Sequence, residues 1–250
     1  MTAPRKKRLD LLVVERGLAK SRETARTLIM SGNILVNDQP MDKPGTQLAE
    51  DARIISRKPD MPYVSRGGIK LAHAITEIGL DVNGFMCLDV GASTGGFTDC
   101  LLQFGAAHVH AVDVGYGQLD WKLRQDDRVT VIERTNVRYA TRAVLPEDFD
   151  LITIDVSFIS LKIVIPAIEP FLKPAGHILA LVKPQFEVGR DQVGKGGVVR
   201  DAGLHEQVIS ELDSYFEKLS LVSETVLPSP ILGPKGNREF LMYLGRHLAK

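Results

Sequence analysis

The chain has 250 residues, 44% of them hydrophobic and 25% charged, with 31 Lys or Arg against 31 Asp or Glu; this is ordinary globular composition, with room for one large domain and a small one. No apolar run approaches the roughly 20 residues of a membrane-spanning helix, and the opening MTAPRKKRLD lacks the apolar centre of a signal peptide, so the expectation is a cytoplasmic protein with no membrane partner. Two isolated cysteines, Cys87 and Cys100, with no His or Cys at ligand spacing, argue against a disulfide framework and against a metal site.

The charge is unevenly spread: residues 1–70 hold 14 Lys or Arg against 8 Asp or Glu, and the rest hold 17 against 23. A basic first part suits contact with a polyanion, because neutralising phosphates releases counterions; a solvated basic surface accounts for the charge equally well. Residues 8–16 and 21–31 read as two short helices, the second capped by Ser21 and stopped by Ser31-Gly32-Asn33. The strand ILVN, the turn Asn37-Asp38-Gln39-Pro40 and the strand ARIIS complete a small α+β unit that closes near Ser56. Arg22 and Arg26 are four apart on one helix face, joined by Lys20 just before it and by Arg5, Lys6, Lys7 and Arg8 upstream. By pattern alone such a unit grips RNA or docks a protein. The run RLDLLVVERGLAKSRETARTLIMSGNILVND resembles the RNA-binding domain first described in the fourth small-subunit ribosomal protein, which implies RNA held by shape and phosphate contacts.

Lys58-Pro59-Asp60-Met61-Pro62 reads as a linker stiffened by two prolines, giving a first domain at 1–58, a linker at 59–63 and a second domain at 64–250. Helices are expected near 68–78, 96–104, 118–125, 160–173 and 201–218. Strands are expected near 86–90, 108–113, 129–132, 151–156 and 177–183. This alternation is a parallel, doubly wound sheet. The last stretch, SLVSETVLPSPILGPKGNREFLMYL, holds two strand-like runs too close for a helix between them and therefore an antiparallel pair. The fold class is α/β: a Rossmann-like, seven-stranded sheet of the methyltransferase type behind a small α+β domain.

MCLDVGASTGGFTD, from Met86 to Asp99, reads as a buried strand, a glycine-rich turn and a helix start, the arrangement that brings backbone N–H groups to a nucleotide-like ligand. Asp89, Gly91, Ser93, Thr94, Gly95 and Gly96 are the expected cofactor residues. HVHAVDVG ends on Asp113, placed to accept both hydroxyls of an adenosine ribose; on this acid alone NAD and S-adenosylmethionine both stay open. Four further charges stand in apolar context: Lys70 before the first sheet strand, Asp155 ending LITID, Lys183 ending HILALVK and Glu239 opening EFLMYL. Taken without further context they are either a site or structural ion pairs, Lys70 with Asp155 or Lys183 with Glu239. Residues 184–201, PQFEVGRDQVGKGGVVRD, read as a mobile basic loop over an acceptor.

VSRGGIKL, LDVGASTGGFTD, IDVSFIS, LVKPQFE and GNREF, in that order, resemble the TlyA (haemolysin A) family of ribosomal RNA methyltransferases, whose core is similar to that of FtsJ-type 2′-O-methyltransferases. The resemblance implies a catalytic Lys-Asp-Lys-Glu set at Lys70, Asp155, Lys183 and Glu239, and S-adenosylmethionine at Asp89–Gly96 and Asp113. It implies a cytidine ribose 2′-hydroxyl in ribosomal RNA or ribosomal subunits as acceptor. One departure is Tyr63 behind Pro62, where some relatives carry Trp. In such a set Lys183 is the candidate base; alternatively it stays protonated and stabilises the developing alkoxide while water takes the proton. Two other readings are kept: a non-catalytic ribosome-assembly protein with a vestigial cofactor fold, which would show decay in the four-residue set, and a membrane-lytic protein, for which no amphipathic cationic helix or barrel pattern is found. The oligomeric state is open.

Overall fold

The structure is a computed structural model that describes residues 6–19, 21–56 and 61–246. Arg5 and Lys20 of the expected cationic set lie outside the described residues. The chain divides into two compact units, Met1–Met61 and Pro62–Lys250.

The first unit contains β1 (Lys6–Arg8), α1 (Leu9–Glu15), α2 (Arg22–Met30), β2 (Ile34–Val36), β3 (Gln39–Met41), β4 (Gln47–Ala49) and β5 (Ile54–Ser56). Ser21 Oγ accepts a hydrogen bond from Thr24 N at 3.2 Å and so caps α2. Leu9, Val13, Ala25, Ile29 and Ile34 are fully buried between the helices and the strands. Asn37 and Asp38 adopt left-handed backbone angles (φ 50° and 65°), which the two-residue turn from β2 to β3 requires to match the strand twist. β1, β3 and β4 are additions to the expected elements. Three residues are too few to display a period of two, and Pro40 in β3 masks it further.

The second unit runs α3 (Gly67–Ile78), β6 (Met86–Val90), α4 (Gly96–Gln103), β7 (His108–Val112), α5 (Trp121–Arg124), β8 (Val129–Ile132), β9 (Phe149–Ile154), α6 (Leu161–Ile168), β10 (Leu172–Val182), α7 (Ala202–Glu217), β11 (Leu221–Pro228) and β12 (Phe240–Arg246). Its seven strands lie in the order β11-β12-β10-β9-β6-β7-β8. β12 is antiparallel to both β10 and β11, while β6 to β10 pair in parallel. Successive residues of the central strands face opposite layers: Leu151 and Leu179 belong to one core cluster, Ile152 and Ile178 to the other. The helix expected at 160–173 ends at Ile168, followed by a 3-10 turn at Glu169–Phe171, because Pro170 cannot continue it.

From β6 the chain winds outward through β7 to β8, then returns to the other side of β6 to lay down β9 and β10. The strand order therefore reverses between β6 and β9. A crevice opens there at the carboxyl ends of the strands, where open α/β sheets bind ligands. Gly91 follows β6 and Asp155 follows β9, so the expected site residues meet at this point.

Candidate active site

The glycine turn is built around the close approach of two strand ends. Gly91 has φ +85°, and a Cβ there would come within 2.6 Å of Asp155 O, so only glycine allows the two backbones this spacing. Gly91, Ser93, Thr94 and Gly96 line the crevice. Asp89 and Gly95 line neither of its two clefts and instead fix the turn from below. The Asp89 side chain is fully buried and accepts from Thr98 Oγ1 at 2.7 Å and Thr153 Oγ1 at 3.3 Å. Burial pushes its carboxyl up to about 7 against the opposing pull of the Thr98 hydrogen bond. Strand alternation accounts for this placement: Asp89 points into the layer from which α4 starts.

Of the two clefts, the larger has a volume of about 520 Å³ and is walled by Val114, Val137, Phe158 and Ile159, with Asp113 and Asn136 as polar contacts. Asp113 accepts from Ser93 N at 2.8 Å and Gly115 N at 2.6 Å, which orients its carboxylate and leaves a lone pair on each oxygen for ribose hydroxyls. The volume, the apolar walls and this oriented acid fit an adenosine-bearing ligand. Asn136 and Phe158 were not singled out from the sequence. Asn136 lies in the polar run Glu133–Asn136 that follows β8, and nothing in that run marks it out. Phe158 is 90% exposed and has φ +64°, which no sequence pattern signals.

The smaller cleft, about 290 Å³, is lined by Lys70, Asp155, Lys183 and Glu239 together. The two clefts share Gly91, Ser93, Asp155 and Ser157. Lys70 Nζ lies 2.6 Å from Glu239 Oε2, and Lys183 Nζ lies 2.6 Å from Asp155 Oδ1. This corrects both ion pairs considered from the sequence, since the partners are exchanged: Lys70, on α3, reaches the start of β12, and Lys183 and Asp155 end the neighbouring strands β10 and β9. Lys183 also donates to Val156 O at 2.8 Å and to Ser157 Oγ at 3.0 Å. Three oxygens thus surround its ammonium. Glu239 Oε1 is buried with no hydrogen-bond partner among the described residues. Gly233 packs directly on this carboxylate, so a side chain at that position would displace it.

Comparison with known proteins decides the assignment. Residues 63–246 match the FtsJ-like methyltransferase family and residues 7–54 match the S4 domain. The 16S/23S rRNA (cytidine-2′-O)-methyltransferase TlyA of Mycobacterium tuberculosis is 44% identical over 241 residues, covering 96% of this chain and 90% of that protein. The chain belongs to the TlyA family. Hemolysin A of Brachyspira hyodysenteriae is 40% identical over 242 residues, covering 94% of this chain and 98% of that protein. A solved chain described as a hemolysin of Streptococcus thermophilus superposes with a TM-score of 0.76 at 42% identity, covering 98% of this chain and 90% of that one. As a TlyA-family protein with an FtsJ-like domain, the chain is an S-adenosylmethionine-dependent methyltransferase.

In this TlyA-family chain the S4 unit presents its cations unequally. Arg8 and Arg22 both bind Asp10, at 2.9 and 3.0 Å, and the Asp10 side chain is fully buried. The hydrogen bond from Arg8, with help from Arg22, holds the Asp10 carboxyl down to about 2 despite its burial. Lys6 and Arg26 are exposed. The residues expected to close the linker belong to the second unit: Gln103 Nε2 donates to Pro62 O at 3.0 Å, Val64 N donates to Asp99 Oδ2 at 2.8 Å, and Tyr63 packs on Gly68. The 184–201 segment, expected as a mobile loop, is anchored near both ends. Glu187 accepts from Ser160 Oγ at 2.6 Å, Val198 and Val199 are buried, and Val199 N donates to Asn237 Oδ1 at 3.1 Å. Its glycines suggested freedom, whereas its two buried valines supply anchorage. Among the described residues no helix is long and apolar enough to cross a membrane, and no group of three or more His, Cys, Asp or Glu is placed to hold a metal.

Proposed function

We propose that this chain transfers a methyl group from S-adenosylmethionine to the 2′-hydroxyl of a cytidine ribose in ribosomal RNA, working on ribosomal subunits in the cytoplasm. The observation that carries this reading is the shared rim: a nucleoside-sized cleft and a cleft holding two lysines and two acids meet at Gly91, Ser93, Asp155 and Ser157. The names of relatives from Mycobacterium tuberculosis and Campylobacter jejuni, both rRNA (cytidine-2′-O)-methyltransferases, supply the acceptor.

Bound S-adenosylmethionine supplies a methyl group already activated by a positively charged sulfur. The protein's task is then to place a hydroxyl in line with that methyl and to manage one proton. Asp113, oriented by two backbone N–H groups, holds the ribose of the cofactor. Asp155 sits on the shared rim beside the reacting atoms. Lys183, held by three oxygens, stabilises charge developing on the ribose oxygen. This favours the second of the two roles considered for Lys183. Lys70, fixed by Glu239, keeps uncommitted N–H donors for the same oxygen, and water takes the hydroxyl proton. Phe158 stands exposed at the mouth of the larger cleft, 4.9 Å from the Phe186 ring, and offers an aromatic face to a base turned out of its stack.

The test is incubation of the full chain with isolated small and large ribosomal subunits and labelled S-adenosylmethionine, followed by mapping of the label. Label on the 2′-oxygen of a cytidine is expected. Label on a base, or none on either subunit, overturns the reading.

A further inference from the structure

Two basic segments that are far apart in sequence are fastened together by one buried side chain. Asn237 is only 3% exposed. Its Nδ2 donates to Gly197 O at 3.0 Å and to Pro234 O at 3.2 Å, and its Oδ1 accepts from Val199 N at 3.1 Å. Val199 O is held from the other side by His205 Nε2 at 2.9 Å. Segment 194–200 is therefore tied to turn 233–237 through both its carbonyl and its amide groups. Removing the amide would orphan buried backbone groups, which is costly.

The pin gathers charge. Lys195 and Arg200 lie on the first segment, Lys235 and Arg238 on the second, and all four are exposed. None forms an ion pair with an acid among the described residues. The nearby acid Asp201 is committed to the start of α7, where it accepts from Gly203 N at 2.7 Å. Lys235 Nζ reaches the neighbourhood of Gly197, 3.9 Å from where a Cβ would stand there. The same turn faces the acceptor cleft, since Pro234 lines it and Gly233 packs on Glu239.

We infer that Asn237 assembles Lys195, Arg200, Lys235 and Arg238 into a phosphate-binding ridge on the acceptor side of the cleft, which holds the RNA backbone flanking the target nucleotide. This rests on the proposed RNA substrate and adds a second gripping surface, on the methyltransferase unit itself. Cations with no acid partner among the described residues, on two segments joined beside the acceptor cleft, suit the spaced charges of a nucleic-acid strand. Asn237 is a positioning residue, because it acts through the backbone of the two segments that it joins.

The test measures binding of the full chain to a labelled RNA hairpin over a range of salt concentrations. For Lys195→Ala/Lys235→Ala, the slope of log affinity against log salt should fall in magnitude by about 1.5, from roughly 0.7–0.9 per lost phosphate contact. The S-adenosylmethionine dissociation constant, measured by calorimetry, should stay at the parent value. Asn237→Ala should weaken RNA binding and raise amide exchange at Gly197 and Val199. An unchanged salt slope in the double variant overturns the inference, and because both lysines are exposed that variant does not depend on the fold tolerating a core change. The lowered slope in a chain that methylates no RNA would uphold the ridge and sink the proposed reaction; an unchanged slope with methylation intact would do the reverse.

Discussion

The Lys70 ammonium lies 2.6 Å from Glu239 Oε2, while the second oxygen of that buried carboxylate has no partner among the described residues. One half of the acid thus neutralises a buried cation and the other half is sealed against Gly233. Glu239→Gln keeps the shape and removes the charge that fixes Lys70; methyl transfer should fall by about 10²-fold, the scale of misplacing one group at the reacting centre. Glu239→Ala should in addition cost about 3–5 kcal/mol of stability, since Lys70 would be left as an unpaired buried charge. Single-turnover rates and denaturant melts check the two parts separately.

Gly91 is a position of the glycine turn that does not accept a side chain. A methyl group there meets the Asp155 carbonyl at 2.6 Å on a backbone with φ +85°, a conformation that costs an L-residue about 1–2 kcal/mol before any clash. Gly91→Ala should push the end of β9 outward and weaken S-adenosylmethionine binding at least about tenfold, on the scale of about 1.4 kcal/mol per decade. Calorimetric titration reads this directly, and parent affinity in the variant would show that the close approach is not required.

Asp89 gives a pH signature. Its carboxyl is raised by burial to about 7 from an ordinary value near 3.8, so between these values the folded chain holds a proton that the unfolded chain has released. The stability this provides is complete below about pH 4 and is lost as pH rises toward 7. Asp89→Asn should flatten that decline, so that melting temperatures of parent and variant converge at low pH and separate in favour of the variant near pH 8. A parallel pair of curves would place the Asp89 titration elsewhere.

Much of the fold was legible because long elements announce themselves. The alternation from α3 to α7 and the crowded antiparallel pair at the end specify the seven-stranded sheet, and its reversal of strand order brings Gly91, Asp113 and Asp155 to one edge. The four-residue charged set was visible as charges in apolar runs, but its pairing was not, because whether Lys70 reaches Asp155 or Glu239 depends on how α3 lies against β12. That the Asp89 side chain is buried and lines neither cleft was not legible, because the sequence shows that an acid ends the strand and not which side of the strand it leaves. Asp10, Asn237 and Phe158 escaped notice for a related reason. A buried polar residue and an exposed aromatic one are defined by their surroundings, which spacing along the chain does not reveal. The glycine-rich run after Lys183 looked free because glycines describe what the backbone can do, whereas Val198, Val199 and their bonds to Asn237 and His205 decide what it does.

The role proposed for Lys183 is to handle charge on the acceptor hydroxyl without holding either substrate. The most direct measurement is single-turnover methyl transfer by Lys183→Ala to isolated ribosomal subunits, with S-adenosylmethionine and RNA affinities measured on the same preparation. Methyl transfer should be abolished while both affinities stay within about twofold of the parent, well inside the 1.4 kcal/mol that separates a decade. Methyl transfer at a rate near that of the parent chain would contradict it.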